Sequence, residues 1–339
     1  MADLPTRVLG RSGVPVTALC LGAMNFGGPT PEDEARSIIA AAFEQGVRFI
    51  DTSSNYTDGQ SEAVVGRAIE ATRSKWFLAT KVGTQTGPGP TERGLSRHYI
   101  LRTLETSLKR LKTDAIDLYY VHRVDPSTPW DDVVRTFGDL VRSGKIRYWG
   151  LSNVRAWQIA HVVHLARQMG VAEPVALQPY YNLLNRQPET EVLPVAREFG
   201  LGVVPYSPIA RGILSGKYQL NVAPEPGSRV ARRDKRVMET EWRPESLELA
   251  DKLKAHASDR GLSLVAFATA WVLNNRAVAS VIAGPRTLAQ WQGYGAALAY
   301  RWTPADEAIV NAAVPAGHSS TPGYTDPSYP AEGRFPTVA

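Results

Sequence analysis

Four side chains that can move protons stand at or just after the ends of apolar runs in this sequence. The segment DTSSNYTDGQSE, residues 51–62, begins with Asp51 and carries Tyr56 five positions later, while Lys81 ends the run WFLATK and His122 ends IDLYYVH. Tyrosine is a weak acid, with a reference pKa of about 10, and a nearby ammonium lowers that pKa by stabilising the phenolate. A carboxylate beside the lysine would hold the ammonium in place. These four residues together therefore indicate proton transfer.

The same residues suit the reduction of a carbonyl. A tyrosine acid beside a bound carbonyl can protonate the alkoxide that hydride transfer produces, and His122 can hydrogen-bond the carbonyl or assist the proton relay. The alternative is that Asp51 and Tyr56 are turn residues, polar because strand ends meet water. That alternative explains polarity, but it does not favour Asp, Lys and His directly after runs as apolar as RFI, FLAT and LYYV.

Strand-like and helix-like segments alternate along the chain, and this alternation must position the four side chains. Eight apolar runs are predicted as buried strands: residues 18–21, 47–51, 76–81, 116–122, 146–153, 174–178, 202–207 and 279–284. Such alternation implies parallel pairing with right-handed crossovers. Eight units predict an α/β fold, a single (β/α)8 TIM barrel whose active site lies at the carboxyl ends of the strands. The competing fold is a doubly wound open sheet, but the turn LGAMNFGG after the first strand lacks the G-x-G-x-x-G fingerprint.

The helical segments carry end signals that support this division. Before the first helix, Thr30 is a candidate cap and Pro31 suits the first helical position, while Gly46 suits the carboxyl end. Further helices are predicted over residues 61–72, 96–111, 130–142, 155–169, 187–199, 245–274 with a break near 261, and 287–299. The domain prediction is one barrel over 1–339, with an N-terminal β-hairpin around 10–13, a long irregular loop at 219–245 and an extended C-terminal tail at 318–339.

Composition excludes several classes of protein. The 339 residues are 43% hydrophobic and 21% charged, enough to bury a large core. The single cysteine, Cys20, fits a reducing compartment, and its apolar surroundings predict a buried, inert thiol. No signal-peptide pattern and no run of about 18 apolar residues occurs, so we expect a cytoplasmic protein without a membrane partner. The basic cluster RVARRDKR at 229–236 is expected to be a solvated loop rather than a nucleic-acid site, since no aromatic residue is interleaved.

At this point the sequence resembles the aldo-keto reductase superfamily, over roughly residues 7–300. DTSSNYTDGQSE is similar to the D-T-x-x-x-Y-x-x-G-x-S-E segment of that family, and ATKVG, VHRVDP, GLSNV, LQPYYNLL, PYSPIARGILSGKY and IAGPRTLAQ resemble its later motifs in the same order. No single motif is decisive, but seven in order are very specific. The resemblance implies reversible reduction of a small-molecule aldehyde or ketone. It also implies that Tyr56 is the general acid, that Lys81 lowers its pKa, that Asp51 pairs with Lys81 and that His122 orients the carbonyl.

The resemblance further implies NADPH or NADP+ bound in an extended form without a Rossmann domain. The cofactor-binding positions that carry over are Met24, Asp51, Ser152, Asn153, Gln178, Tyr206, Ser207, Pro208, Ile209, Gly212, Lys217, Gly284, Arg286, Gln290 and Tyr294. Within that set Tyr206 stacks on the nicotinamide. Arg286 meets a 2′-phosphate, because its planar fork matches phosphate oxygens, and this favours NADPH over NADH. The chain departs from the family at Tyr294, where an asparagine that contacts adenine is usual, and at Gly293, where an acidic residue is common.

Other interpretations stay open beside the reductase. The stretches VHRVDPSTPW and YWGLSN resemble the voltage-gated potassium channel β subunits of the same superfamily, so a cofactor-binding regulatory subunit with little turnover is the alternative function. That branch often lacks the histidine, which His122 supplies in this chain. His161 and His164 are expected to be a surface pair rather than metal ligands. Trp130 and Trp242 are candidates either for the substrate wall or for packing. The sequence carries no signal for an oligomeric state.

Overall fold

The strands of the molecule form one curved parallel sheet and one short hairpin. The structure is a computed structural model that describes residues 4–331. Strands β1 and β2, Thr6–Val8 and Pro15–Thr17, pair antiparallel as the predicted hairpin. The sheet contains β3 Leu19–Gly22, β4 Phe49–Asp51, β5 Phe77–Val82, β6 Ile116–Val121, β7 Ile146–Ser152, β8 Ala176–Gln178, β9 Gly202–Val203 and β10 Val281–Ala283. All eight predicted strands are therefore present.

The sheet closes on itself, so the predicted (β/α)8 barrel is confirmed. Neighbours run in the order β10, β3, β4 and onward to β9, and every pairing is parallel. The remaining seam between β9 and β10 is joined by the Ala279 N–H, which donates to the Val203 carbonyl at 2.8 Å, and by the Ile282 N–H, which donates to the Pro205 carbonyl at 3.0 Å. Closure removes the exposed strand edges of an open sheet.

The helices follow the strands nearly as predicted. Their bounds are α1 Glu32–Glu44, α2 Gln60–Ile69, α3 Arg97–Leu111, α4 Trp130–Arg142, α5 Ala156–Met169, α6 Val192–Glu198, α7 Lys235–Thr240, α8 Pro244–Asp259, α9 Leu264–Asn274, α10 Leu288–Ala299 and α11 Pro304–Ala313. The predicted break near residue 261 separates α8 from α9, where the Ser263 hydroxyl accepts from the Ala266 N–H and caps the second helix. Such a cap satisfies one of the free N–H groups of a first turn.

Three details differ from the sequence predictions. Thr30 does not cap α1, because its hydroxyl donates to the Arg286 carbonyl at 3.0 Å and so fastens the first loop to the last. The loop predicted as irregular contains α7, which begins where the Asp234 carboxylate accepts from the Val237 N–H. Helix α11 was not predicted, although Thr303 and Asp306 form a capping box around it.

Apolar side chains form one layer inside the barrel and another between the barrel and its helices. The hairpin contributes Leu9, fully buried, to the inner layer together with Phe49 and Leu118. The hairpin turn can approach β9 only because Gly10 has no side chain: its φ is +52°, and a Cβ there would lie 2.3 Å from the Gly202 nitrogen. The hairpin therefore covers the end of the barrel at which the strands begin.

The tail also agrees with the sequence as far as residue 331. It forms neither helix nor strand between 320 and 331, while residues 332–339 of the predicted tail lie outside the described part of the chain. Its Asp326 pairs with Arg236 of the 219–245 loop at 2.5 Å, and its Tyr324 hydroxyl donates to the Glu239 carbonyl. The extent of a single domain over 1–339 stays a prediction. Among the described helices, none is long and apolar enough to cross a membrane.

The contact between α2 and α3 leads to a prediction about stability. A Cβ on Gly66 of α2 would lie 2.3 Å from the Arg110 carbonyl oxygen, so we expect Gly66→Ala to lower the free energy of unfolding by about 1–3 kcal/mol through overpacking. Gly295→Ala in α10 is the matched control, because nothing lies within 4 Å of the added methyl group. It should raise that free energy by about 0.5–1 kcal/mol. Urea titration measures both, and equal stabilities for the two variants would refute the close contact.

Candidate active site

A buried ion pair lies at the carboxyl ends of β4 and β5. Asp51 is the last residue of β4 and pairs with Ala79 of β5, so Lys81, two residues further along, points to the same face. The Lys81 Nζ donates to Asp51 Oδ1 at 2.5 Å and to the Thr52 carbonyl at 2.8 Å. Gln178, from β8 across the barrel, donates its amide to Asp51 Oδ2 at 3.0 Å. Both carboxylate oxygens are thus engaged.

The two charges keep each other ionised. Lys81 is 0% exposed and Asp51 is 3% exposed. Burial acts to lower the pKa of Lys81, but the charges and hydrogen bonds of Asp51 and Tyr56 together outweigh it, and the pKa of Lys81 lies above its ordinary value. Burial raises the pKa of Asp51, while Lys81 and Gln178 oppose that rise. An ammonium is therefore maintained in the barrel interior.

Tyr56 lies directly over this ammonium. Its hydroxyl accepts from the Lys81 Nζ at 3.2 Å, and the Nζ is 4.7 Å from the centre of the Tyr56 ring. Burial raises the pKa of the Tyr56 phenol, and the charges of Lys81 and Arg211 lower it only in part. The lowering by Lys81 that the family resemblance implies is therefore one contribution to a net rise. The phenol stays protonated at neutral pH and can act as a proton donor.

A strained turn carries Tyr56 to this position. Thr57 and Asp58 have φ values of 47° and 54°, in the left-handed region that such residues seldom adopt. The Thr57 hydroxyl donates to the Phe26 carbonyl at 2.8 Å. Arg110 donates to the Ser54 carbonyl at 3.1 Å. These contacts from two other elements hold the turn in a conformation that its own sequence does not favour.

His122 completes the group from the end of β6. Its ring stands edge-on to the Tyr56 ring with centres 5.7 Å apart, and its Nδ1 lies 3.1 Å from the Ser53 Oγ. Burial lowers the pKa of His122 well below its usual value, and the charges of Lys81 and Arg123 lower it further, so the imidazole is neutral.

The tautomer of His122 depends on its neighbours. The Ser53 hydroxyl donates to the Asn55 Oδ1 at 2.8 Å, so the Ser53 Oγ is left to accept the Nδ1–H of His122, and the imidazole Nε2 carries the lone pair. Turning the Asn55 amide by 180° keeps the same heavy-atom positions and reverses both hydrogen bonds. The imidazole Nε2 then carries the proton and can donate to a carbonyl.

These side chains open into a cavity of about 1360 Å³ at the carboxyl ends of the strands. That volume exceeds the roughly 300–1000 Å³ of ordinary small-molecule sites, so a large cofactor and a substrate both have room. Asp51, Tyr56 and His122 line the cavity, and Lys81 lies beneath them. Every residue predicted to bind a cofactor also lines it: Met24, Asp51, Ser152, Asn153, Gln178, Tyr206, Ser207, Pro208, Ile209, Gly212, Lys217, Gly284, Arg286, Gln290 and Tyr294.

The inner members of that set are linked to one another. Asn153, with a φ of 56°, donates its amide to the His122 carbonyl at 2.9 Å and accepts from the Tyr206 hydroxyl at 2.9 Å. The Ser152 hydroxyl donates to the Gln178 carbonyl at 2.8 Å. The Tyr206 ring is thereby fixed at the cavity wall with its hydroxyl already paired, which leaves the ring as a surface for stacking.

The outer members lie around the last strand and α10. The Arg286 guanidinium donates to the Gly227 carbonyl at 3.3 Å, so it reaches across to the 219–245 loop. Tyr294 is 3% exposed, and its ring is 6.5 Å from that of Trp291. Tyr294 is therefore packed as a core residue, although it also contributes to the cavity lining.

Three charged or aromatic cavity residues were missed by sequence reasoning: Arg93, Arg211 and Tyr329. The cluster at 229–236 gave a signal, but its interpretation as a solvated loop was wrong for two of its members, which line the cavity. Tyr329 gave no local signal, because the tail reaches the site only after the chain has passed round the whole barrel. Trp130 and Trp242 pack against the core instead of lining the cavity.

His161 and His164 lie outside the cavity lining, and no metal-binding cluster occurs within residues 4–331.

Known proteins resemble this chain over most of its length. Residues 18–314 match the model of the Aldo/keto reductase family. The chain is 40% identical over 293 residues to the uncharacterized oxidoreductase YrpG of Bacillus subtilis, with 83% of this chain and 87% of that protein covered. It is 35% identical over 289 residues to a probable voltage-gated potassium channel subunit beta of Arabidopsis thaliana, with 84% and 88% covered. A putative subunit of the same kind from Schizosaccharomyces pombe is 36% identical over 292 residues, with 83% and 84% covered.

The buried ion pair leads to a prediction about stability. Lys81→Met leaves the Asp51 carboxylate buried without its cation, and Asp51→Asn leaves the ammonium without its anion. Each single change should cost about 3–5 kcal/mol of unfolding free energy. The double variant should be more stable than either single variant, because neither charge remains. Chemical denaturation of the four proteins measures this, and strictly additive losses would mean that the two charges do not depend on each other.

Proposed function

The chain belongs to the aldo/keto reductase family, and from the geometry of its site we propose that it reduces aldehydes or ketones to alcohols reversibly with NADPH. The observation that carries the proposal is the Tyr56 hydroxyl, which lies 3.2 Å from a buried ammonium and beside a neutral imidazole at the cavity wall. A protonated phenol in that position matches the need of a carbonyl oxygen for a proton.

The residues of the cavity fit a dinucleotide. Lys217 and Arg286 contribute cations to its lining, as a pyrophosphate and a 2′-phosphate require. The inner half offers the Tyr206 ring and the polar side chains of Ser152 and Asn153. NADPH, when bound, supplies the hydride. NADPH is favoured over NADH because the Arg286 guanidinium is a partner for the 2′-phosphate, and NADP+ serves the reverse direction.

Tyr56 then donates its proton to the carbonyl oxygen as the carbon accepts the hydride. The Lys81 ammonium stabilises the phenolate that remains, and Asp51 holds that ammonium 2.5 Å away. His122 orients the carbonyl when its Nε2 carries the proton, which the Asn55 amide permits in one of its two orientations. Burial stabilises the neutral Tyr56 phenol before the proton is transferred. Lys81 stabilises the Tyr56 phenolate after the transfer.

A second function is favoured by one observation. Relatives at 35–36% identity bear the name of potassium channel β subunits. A cofactor-binding regulatory subunit with little turnover is therefore the alternative. The presence of all four proton-transfer side chains within one cavity supports the reductase. The absorbance of NADPH, followed against a panel of aliphatic, aromatic and sugar carbonyls, separates the two: tight NADPH binding without turnover on any carbonyl favours the regulatory subunit.

Tyr56→Phe tests the proton donor. We expect kcat for aldehyde reduction to fall by at least about a hundredfold, the scale of general acid catalysis, while the Kd for NADPH changes less than about threefold. Tyr148→Phe is the matched control, because Tyr148 does not line the cavity. Stopped-flow reduction rates and fluorescence titration of NADPH give the two quantities. Retention of most activity in Tyr56→Phe would remove Tyr56 from the mechanism.

Arg286→Ala tests the choice of cofactor. Loss of a charged partner for the 2′-phosphate should raise the Kd for NADPH about tenfold or more, because a hydrogen bond to a charged group contributes about 1.5–3 kcal/mol. The Kd for NADH should change much less, since NADH lacks that phosphate. Arg301→Ala, an exposed arginine outside the cavity lining, is the control. Equal weakening of both cofactors would show that Arg286 does not read the 2′-phosphate.

A further inference from the structure

Arg211 has an unusual backbone conformation in the loop that follows β9. Its φ and ψ are 54° and 18°, and the preceding Ala210 also has a positive φ of 48°. Residues with a Cβ seldom adopt this region, and strain of this kind concentrates at functional sites. The loop thus holds a long cationic side chain in a costly conformation where glycine would be unstrained, and that side chain lines the cavity.

The Arg211 guanidinium is stacked on rings but not neutralised. It lies 4.7 Å from the centre of the Tyr180 ring and 5.9 Å from that of Tyr206. Its Nε is buried without a hydrogen-bond partner, and no carboxylate within residues 4–331 forms an ion pair with it. Arg229 and Arg236 differ, because Asp234 and Asp326 pair with them at 3.0 and 2.5 Å.

Arg123 supplies a second cation in the same cavity. It directly follows His122, lines the cavity and likewise has no ion-pair partner in the described part of the chain. Its guanidinium lies 5.8 Å from the Tyr329 ring. Burial lowers the pKa of His122, and the charge of Arg123 adds to that lowering. Burial raises the pKa of Tyr56 and of Tyr329, and the charge of Arg211 opposes both rises. Both charges therefore act at the place where a carbonyl would bind.

The acidic side chains nearby are already engaged. The Asp125 carboxylate accepts from the Leu95 N–H at 2.8 Å and from the hydroxyls of Ser127 and Thr128 at 2.6 Å. Asp326 holds Arg236. A desolvated cation without a counter-charge is costly unless a partner binds it. Arg211, with its buried Nε, is such a cation, and the exposed Arg123 is a further cavity charge that no carboxylate neutralises within residues 4–331.

We propose that Arg211, with Arg123, binds an anionic group on the carbonyl substrate, so that the preferred substrate class is an aldehyde or ketone that carries a carboxylate or phosphate. This inference rests on the proposed reductase function and specifies its substrate. A phosphate of the cofactor has the same anionic chemistry, and the experiment separates the two sources. The planar guanidinium of Arg211 suits two oxygens of a carboxylate at once.

The test uses two aldehydes with the same aromatic body, 4-carboxybenzaldehyde and its methyl ester. We expect the wild-type protein with NADPH to show a kcat/KM at least tenfold higher for the carboxylate, and this ratio should fall as salt is added. Arg211→Gln should bring the ratio close to one, and Arg211→Lys should keep part of it. Arg142→Gln, with a side chain 71% exposed on α4, should leave the ratio unchanged. Arg211→Gly, which relieves the backbone strain, should melt no earlier than the wild type.

Each outcome decides the matter. A wild-type ratio near one, with both aldehydes reduced, overturns the anion site and leaves the reductase intact. A Kd for NADPH that rises in Arg211→Gln while the ratio is unchanged assigns Arg211 to the cofactor and also overturns the proposal. If neither aldehyde is reduced, the carbonyl panel described above decides the reductase function separately. Calorimetric binding of terephthalate to the NADPH complex, compared with its dimethyl ester, then decides the anion site: dependence on Arg211 supports it, and its absence overturns it.

Discussion

The arrangement of this molecule depends on one buried ion pair. A lysine with no exposed surface stays charged inside the barrel because Asp51 lies 2.5 Å away and because Thr52 and Gln178 satisfy the remaining polar atoms. Lys81 and these partners lie in or directly after three strands, β4, β5 and β8, so the pair forms only when the sheet is closed and in register. Burial keeps Tyr56 protonated and His122 neutral beside this pair, and the Lys81 charge acts on the pKa of both. The groups that can move a proton therefore come together only when the barrel closes.

The loops outside the barrel divide their cations into two kinds. Arg229 and Arg236 meet carboxylates of the loop itself and of the tail, so they fasten the covering segments to each other. Arg211 and Arg123 face the cavity without such partners in the described residues. A net count of basic residues does not distinguish these roles, since all four are arginines near one another. The two kinds of arginine differ in whether a carboxylate of the same protein forms an ion pair with them.

Much of the fold and of the candidate site could be predicted from the sequence, because local patterns record local structure. Contacts made through tertiary structure could not. Asp51, Lys81 and His122 each end an apolar run, and parallel strands bring such ends together, so their meeting follows from periodicity alone. Helix α4 was predicted at its observed bounds because its apolar spacing is regular. Thr30 was misassigned because its hydroxyl finds a partner 256 positions away. Tyr329 and Arg211 were missed for a similar reason, since no local pattern records a contact made through tertiary structure. The net rise in the pKa of Tyr56 could not be predicted either, because burial outweighs the neighbouring charges.

The hairpin at the start of the chain has a consequence for the sequence of events during turnover. Gly10 lets the hairpin fit against β9, and apolar side chains fill the barrel interior behind it. Molecules can therefore reach Tyr56 only from the opposite end, where the strands finish. Under the proposed function, a dinucleotide along Tyr206 would have to use this entrance before the smaller molecule that covers it, and would have to leave after it. A steady-state study of this protein should accordingly find a compulsory order of addition, dictated by the closed end of the barrel.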